Sequence, residues 1–301
     1  MKIIPSELLL NIHNALGEGP VWDEKAKELY WIDGLGCRWF RMDADRNIRE
    51  FTTPSAIGSL ILKEEGGMLM GLQDGIYETD PETGTQTLFA NPEADIEGNR
   101  FNDGKADPAG RYVIGSMSTA NNDGSSDDEP AGSLYSIEPD GSWQKLRGGC
   151  SISNGMAWNK ALDTFFYVDS PAGCVFAYDY DKATGKISNE RVAARIPAEE
   201  GIPDGMCIDA EDNLWVAQWG GWCVSCFDSK TGERIAKVEV PVKHVTCCAF
   251  GGEDLETLYI TTSTNAVAGK EWLNQPLAGG LFTAKPGVKG TCSFRFGKKE
   301  A

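Results

Sequence analysis

What most limits the fold of this chain is a pattern repeated six times. Six short apolar and aromatic runs recur along it: residues 29–33 (LYWID), 68–72 (MLMGL), 111–117 (RYVIGSM), 164–170 (TFFYVDS), 213–219 (NLWVAQW) and 257–263 (TLYITTS). Each is rich in β-branched and aromatic residues and bounded by turn residues, the pattern of a strand. A following strand is visible in several copies, at residues 132–137, 174–178 and 280–283. Turn signals close many of the units, among them the segments beginning at Asp80, Pro139, Lys182 and Ser229. Short strands in units of about 40 to 50 residues are the signature of propeller blades. Six units occupy the 301 residues. The expectation is therefore one all-β domain over 1–301, a six-bladed β-propeller with four-stranded blades. No helical period of comparable length competes. Residues 7–11 (ELLLN) precede the first unit and are expected to give the sixth blade its outer strand, closing the ring and removing two sheet edges.

Aligning the units at the start of the innermost strand superposes Glu18, Ile57, Asp103, Asn154, Asp204 and Val245, and a glycine follows each of the first five. Equivalent positions of a propeller ring the central channel at one height. Four oxygen-bearing side chains, Glu18, Asp103, Asn154 and Asp204, then face one axis. Turn chemistry alone places Asp, Asn and Gly at strand starts, but not four in register. Three carboxylates and an amide cannot converge in a narrow channel without a cation, because repulsion and desolvation oppose it. Hard oxygen donors suit Ca²⁺, Mg²⁺ or Mn²⁺. The alignment does not say which of the four hold the ion. The glycines are expected to let the backbone turn sharply as each strand begins.

The net charge of −17 argues against nucleic acid and anionic membranes as partners. Nine cysteines sit mostly in apolar runs, as Cys207, Cys247 and Cys248 do. With no leader-like or long apolar stretch, they point to a reducing, cytoplasmic setting. Cys223 and Cys226 have redox-motif spacing but lie in a strand, away from the strand-to-helix junction that activates a thiol. Two histidines and no G-x-S-x-G elbow argue against a Ser-His-Asp hydrolase. His244 precedes the sixth inner strand and is assigned no role. Trp219, Trp222 and Trp272 are assigned to packing rather than to a sugar pocket.

The motifs GEGPVW (17–22), RFNDGKADPAGRY (100–112), SNGMAW (153–158), PDGMCIDAEDNLWVA (203–217), CCAFGG (247–252) and GVKG (287–290) stand in order over nearly the whole chain. In them the chain resembles the gluconolactonase, regucalcin and senescence marker protein family of metal-dependent sugar lactonases. The resemblance implies a six-bladed propeller holding one divalent ion (Ca, Zn, Mn, Mg or Fe, with Ca favoured) on Glu18, Asn154 and Asp204. It implies substrate contacts from Arg100 and Asn102, with Asp103 on the same substrate-facing edge. It further implies hydrolysis of a small-molecule sugar lactone. Asp204 is then the candidate base that activates water, and Asp103 the runner-up. The alternatives are a calcium-binding regulatory protein without lactonase activity, or a lactonase for another aldonolactone, such as a pentonolactone or a substituted gluconolactone. A monomer or weak dimer is expected. One departure stands out. Some animal members carry a substrate-contacting Glu shortly after the strand matching Gly115, Ser116 and Met117, whereas Ser118, Thr119, Ala120, Asn121 and Asn122 stand here. The polar loop 118–130 is expected to act as a lid.

Overall fold

The second strand of each repeat is buried almost throughout. All five residues of Met68–Leu72 are buried, as are all but the last of Tyr112–Ser118. A strand apolar on both faces needs a covering layer on each side, and blades packed face to face supply both. The computed structural model describes residues 1–121, 131–267 and 270–297. Its strands form six sheets, each starting from an inner strand: Gly17–Asp23, Ile57–Leu62, Asn99–Ala106, Ser153–Trp158, Ile202–Ile208 and Val245–Gly251. Each inner strand pairs antiparallel with the second strand of its own blade. It also packs against the inner strands of the neighbouring blades, and the sixth returns to the first. The result is the expected six-bladed β-propeller.

Three of the outer turns share one chemistry. The Oδ1 atoms of Asp80, Asp181 and Asp228 accept from backbone N–H groups two and three residues on. Gly84, Gly185 and Gly232 then take the left-handed conformation, at φ 73°, 71° and 72°. The Asp side chain caps the turn and the glycine supplies the positive φ that other residues resist.

The ring closes where the sequence placed the closure. Glu7–Leu10 pairs antiparallel with Leu281–Ala284 as the fourth strand of blade six. A second closure had no sequence signal. Lys2–Pro5 pairs parallel with Arg234–Glu239, giving blade five a fifth strand. Only Ile4 of these four residues is buried, too short a pattern to separate from a loop. The C-terminal segment also went unread. It runs across the far ends of the inner strands, with Lys289 and Gly290 bonded to Ala210 and Leu255, and Phe296 and Gly297 bonded to Leu62 and Gly110. Arg295 adds a buried 2.5 Å ion pair to Asp23 of blade one. Of the expected lid over 118–130, Ser118 ends a strand and Thr119–Asn121 forms a single 3-10 turn. Residues 122–130 lie outside the described residues.

Removing residues 1–10 would bare the edges of two adjacent blades. The expected outcome is a fall in apparent Tm of more than about 5 °C together with self-association. Thermal unfolding followed alongside light scattering checks both.

Candidate functional site

The aligned positions are set by a defect common to all six blades. Every inner strand slips register against its second strand at the aligned residue, as between Glu18 and Val21, Phe101 and Gly104, Ser153 and Met156, and Pro203 and Met206. The same slip occurs at Ile57 and at Val245. Such bulges bend a strand and re-aim its side chains. The glycines do something other than the sharp turn expected of them. Of the five, only Gly19 has positive φ. A Cβ on Gly155 would lie 2.7 Å from the Asp204 carbonyl oxygen, and one on Gly58 would lie 2.4 Å from that of Phe101. Gly58, Gly155 and Gly205 are small because the next blade's inner strand passes against them, whereas Gly104 is crowded by Tyr112 and Val113 of its own blade.

Glu18, Arg100, Asn102, Asn154 and Asp204 line one small cavity of about 50 Å³ at the starts of the inner strands. All but Asn102 are buried. Their polar atoms form a chain. Arg100 Nη1 donates to Asn102 Oδ1 at 2.6 Å and to the Phe101 carbonyl at 3.0 Å. Asn102 Nδ2 donates to the Ser153 carbonyl at 2.8 Å and approaches Asn154 Oδ1 at 3.4 Å. Asn154 Nδ2 donates to Ser170 Oγ at 2.8 Å, which fixes the amide and turns its oxygen away from Ser170.

The electrostatics of this cavity are unfavourable as they stand. Burial, then the charges of Asp204 and Asp103, holds Glu18 well above the usual carboxylate range. Burial and the charge of Asp103 do the same to Asp204, and burial raises Asp103 itself. Burial lowers Arg100 to about 10 against the pull of Glu18 and Asp204, so it stays cationic at neutral pH. One guanidinium does not offset three crowded carboxylates. Asp103 Oδ2, buried and without a partner among the described residues, marks the uncompensated charge. Two buried carboxylates and an oriented amide oxygen fit a hard divalent cation. Among the described residues, no three His, Cys, Asp or Glu side chains form a metal-binding group; the donor set here includes an amide.

Asp103 differs from its aligned partners. It lines a larger cavity further along the channel, and its effect on Glu18 and Asp204 is through charge. Three pocket residues were missed. Ser170 braces Asn154. Asn121 lines the cavity with its Oδ1 unpartnered among the described residues; its place just after the third blade's second strand was the available signal. Trp219, assigned to packing, also lines the cavity. Behind it, His244 packs its ring 4.1 Å from the indole, with burial pushing it down to about 4 and neither nitrogen bonded among the described residues. His244 does not line the cavity. Trp222 is exposed and lies elsewhere, and the side chain of Trp272 lies outside the described residues. No disulfide bond forms among the described residues. Cys223 and Cys226 are buried on one strand, and burial raises both thiols, the opposite of an activated redox pair. Among the described residues no helix is long and apolar enough to cross a membrane.

Residues 16–264 match the model of the SMP-30/gluconolactonase/LRE-like region. The chain is similar to regucalcin of Gallus gallus, at 40% identity over 292 residues covering 93% of this chain and 94% of that protein. It is similar to the putative sugar lactone lactonase YvrE of Bacillus subtilis, at 38% identity over 271 residues covering 90% and 91%. Among solved structures it resembles a calcium-binding protein, regucalcin, from Agrobacterium tumefaciens, with TM-score 0.91, 28% identity and 99% of both chains covered.

The raised carboxylates set a sign for stability. Between the unfolded value near pH 4 and the raised folded values, the folded chain holds protons that the unfolded chain has lost. The cation-free protein is therefore most stable, as far as these groups go, below about pH 4 and loses that contribution as pH rises through the folded values. Glu18→Gln and Asp204→Asn are expected to be more stable than wild type at pH 8 in chelator. A divalent cation at a hundredfold excess over Kd should stabilise wild type by about 2.7 kcal/mol and leave the variants nearly unchanged. Chemical denaturation with and without cation measures this, and destabilised variants in chelator would contradict it.

Proposed function

The chain belongs to the SMP-30/gluconolactonase/LRE-like family, and we propose that it is a metal-dependent sugar-lactone hydrolase. The observation that carries this reading is the meeting of Glu18, Asn154 and Asp204 with the Arg100–Asn102 pair around one small cavity. A hard-cation donor set and a fixed guanidinium in one place match the needs of ester hydrolysis. The carbonyl must be polarised, a water deprotonated and an oxyanion stabilised.

A divalent ion on Glu18, Asn154 and Asp204 supplies Lewis acidity to the lactone carbonyl. The protein's own residues do the rest. Asp204, at the cation site, takes a proton from the attacking water. The water oxygen bonds to the carbonyl carbon, the ring C–O bond breaks, and the proton passes to the departing ring oxygen. Arg100, cationic at neutral pH, donates to the oxygen that gains charge. Asn102 lines the cavity and braces Arg100 at 2.6 Å, so the guanidinium is oriented before substrate arrives. Asp103 adds negative charge near Asp204 from the second cavity along the channel. The uncharged amide of Asn121 offers a sugar hydroxyl an acceptor where some animal members of the resembled family carry a Glu.

A calcium-binding role without lactonase activity is the second reading, favoured by relatives named regucalcin. A panel of gluconolactone and pentonolactones, assayed across Ca²⁺, Zn²⁺, Mn²⁺ and Mg²⁺, separates the two. The expected outcome is ring opening that chelator abolishes, with kcat/KM lowered about a hundredfold or more in Asp204→Asn. A wild type that binds Ca²⁺ yet opens no lactone with any cation would favour the second reading. Wild-type rates in Glu18→Gln and Asp204→Asn would remove the catalytic assignment.

A further inference from the structure

The channel has a second end with different chemistry. Past the aligned glycines the inner strands bound a cavity of about 420 Å³, within the ~300–1,000 Å³ of small-molecule sites. Its walls are apolar, with Leu60, Met156, Ile208 and Phe250 among them, and Phe294 of the C-terminal segment closes part of the mouth. Phe294 meets Trp158, another wall residue, edge-on at 6.3 Å. The larger cavity shares none of the residues that line the smaller one.

One polar group in it is unsatisfied. Asp103 is 4% exposed, and its Oδ1 accepts from the Gly104 N–H at 2.9 Å. Its Oδ2 has no partner among the described residues. Lys105, on the same strand, lines the cavity too, with its Nζ bonded to the Met206 carbonyl at 2.5 Å. A buried acceptor left unmatched is costly, and a ligand bearing a donor removes that cost.

We propose that this cavity is a second ligand site, for a small neutral molecule with an apolar ring or chain and one hydroxyl or primary-amide head that donates to Asp103. The chemistry of the walls excludes other classes. A sugar lactone would lose the hydration of several hydroxyls against apolar side chains that return no hydrogen bonds. A divalent cation would find a single carboxylate and a neighbouring ammonium. An organic cation would meet Lys105 and Lys160 beside the single carboxylate, and an organic anion would leave Asp103 Oδ2 unmatched and set a like charge against it. A neutral head with a donor matches Asp103, and the apolar body matches the rest. The site shares no lining residue with the carboxylate cavity, so probe binding tests it separately from the lactonase reading.

Benzyl alcohol and toluene are suitable probes, titrated into the full-length protein with saturating Ca²⁺ and followed by ligand-observed NMR. Wild type is expected to bind both and to prefer benzyl alcohol by at least about tenfold, as a hydrogen bond to a charged acceptor confers. Asp103→Ala should keep toluene and bring the preference to about one; retained toluene binding shows that the variant is folded. Ala249→Leu and Ala157→Leu, which fill the cavity from two blades, should lose both probes. Glu18→Gln should bind both as wild type does. No binding to wild type, binding that survives both filling substitutions, a preference that survives Asp103→Ala, or loss of binding in Glu18→Gln would each overturn the proposal.

Discussion

The closeness of the six inner strands governs everything else in this protein. At Gly155 the next strand's backbone passes so near that an added Cβ would sit 2.7 Å from both the Asp204 oxygen and the Met206 nitrogen. At Gly205 it would sit 2.3 Å from Cys247 Sγ. Such spacing makes the channel narrow, and a narrow channel turns side chains from separate blades into one cluster. Glu18 and Asp204 affect each other's ionisation although 186 positions separate them by number. In blades two, four and five the register slip at the aligned residue and the glycine after it are two parts of one device. The slip re-aims the side chain, and the glycine admits the neighbouring strand.

The same closeness divides the channel. Residues just before the glycines line the small polar cavity, and those just after line the large apolar one. Asp103 and Ile57 are exceptions: Asp103 stands with the first group yet faces the second cavity, and Ile57 lines neither. Position in the repeat therefore fixes height along the axis only approximately, and the chain around each residue decides the rest. In blade three, Arg100 and Asn102 occupy the polar end, and their hydrogen bonds tie that blade to Asn154 of blade four.

Much of this was legible in the sequence, for a physical reason. A strand buried on both faces is written in a continuous apolar run, so six second strands could be read to within a residue or two, and the ring followed from their count. Glu7–Leu10 was readable because a propeller needs a closing strand. Lys2–Pro5 was not, because one buried isoleucine in an edge strand is no pattern. The C-terminal segment was missed because its bonds to Ala210, Leu62 and Gly110 are backbone bonds that no side-chain pattern announces. At the site, Glu18, Asn154 and Asp204 emerged from alignment with Asp103 attached, and only a resemblance set them apart. Trp219 and Asn121 were hidden because each ends a second strand or begins a loop, where facing direction is not periodic.

Charge adds a last consequence to the proposed chemistry. A sugar lactone is neutral, whereas its hydrolysis product is a carboxylate. The protein carries a net charge of −17, and the cavity is bordered by Glu18, Asp204 and, behind them, Asp103. A divalent ion held by Glu18, Asn154 and Asp204 would attract the product carboxylate, as Arg100 does, while the net negative charge of the protein opposes its retention. Substrate entry is unaffected by that field, since it has no charge to resist. An acidic surface around a cationic centre therefore acts on one side of the reaction only, hastening departure of the anion that ring opening creates. That bias needs Asp103 to be ionised but not to touch substrate, which agrees with its placement in the second cavity along the channel.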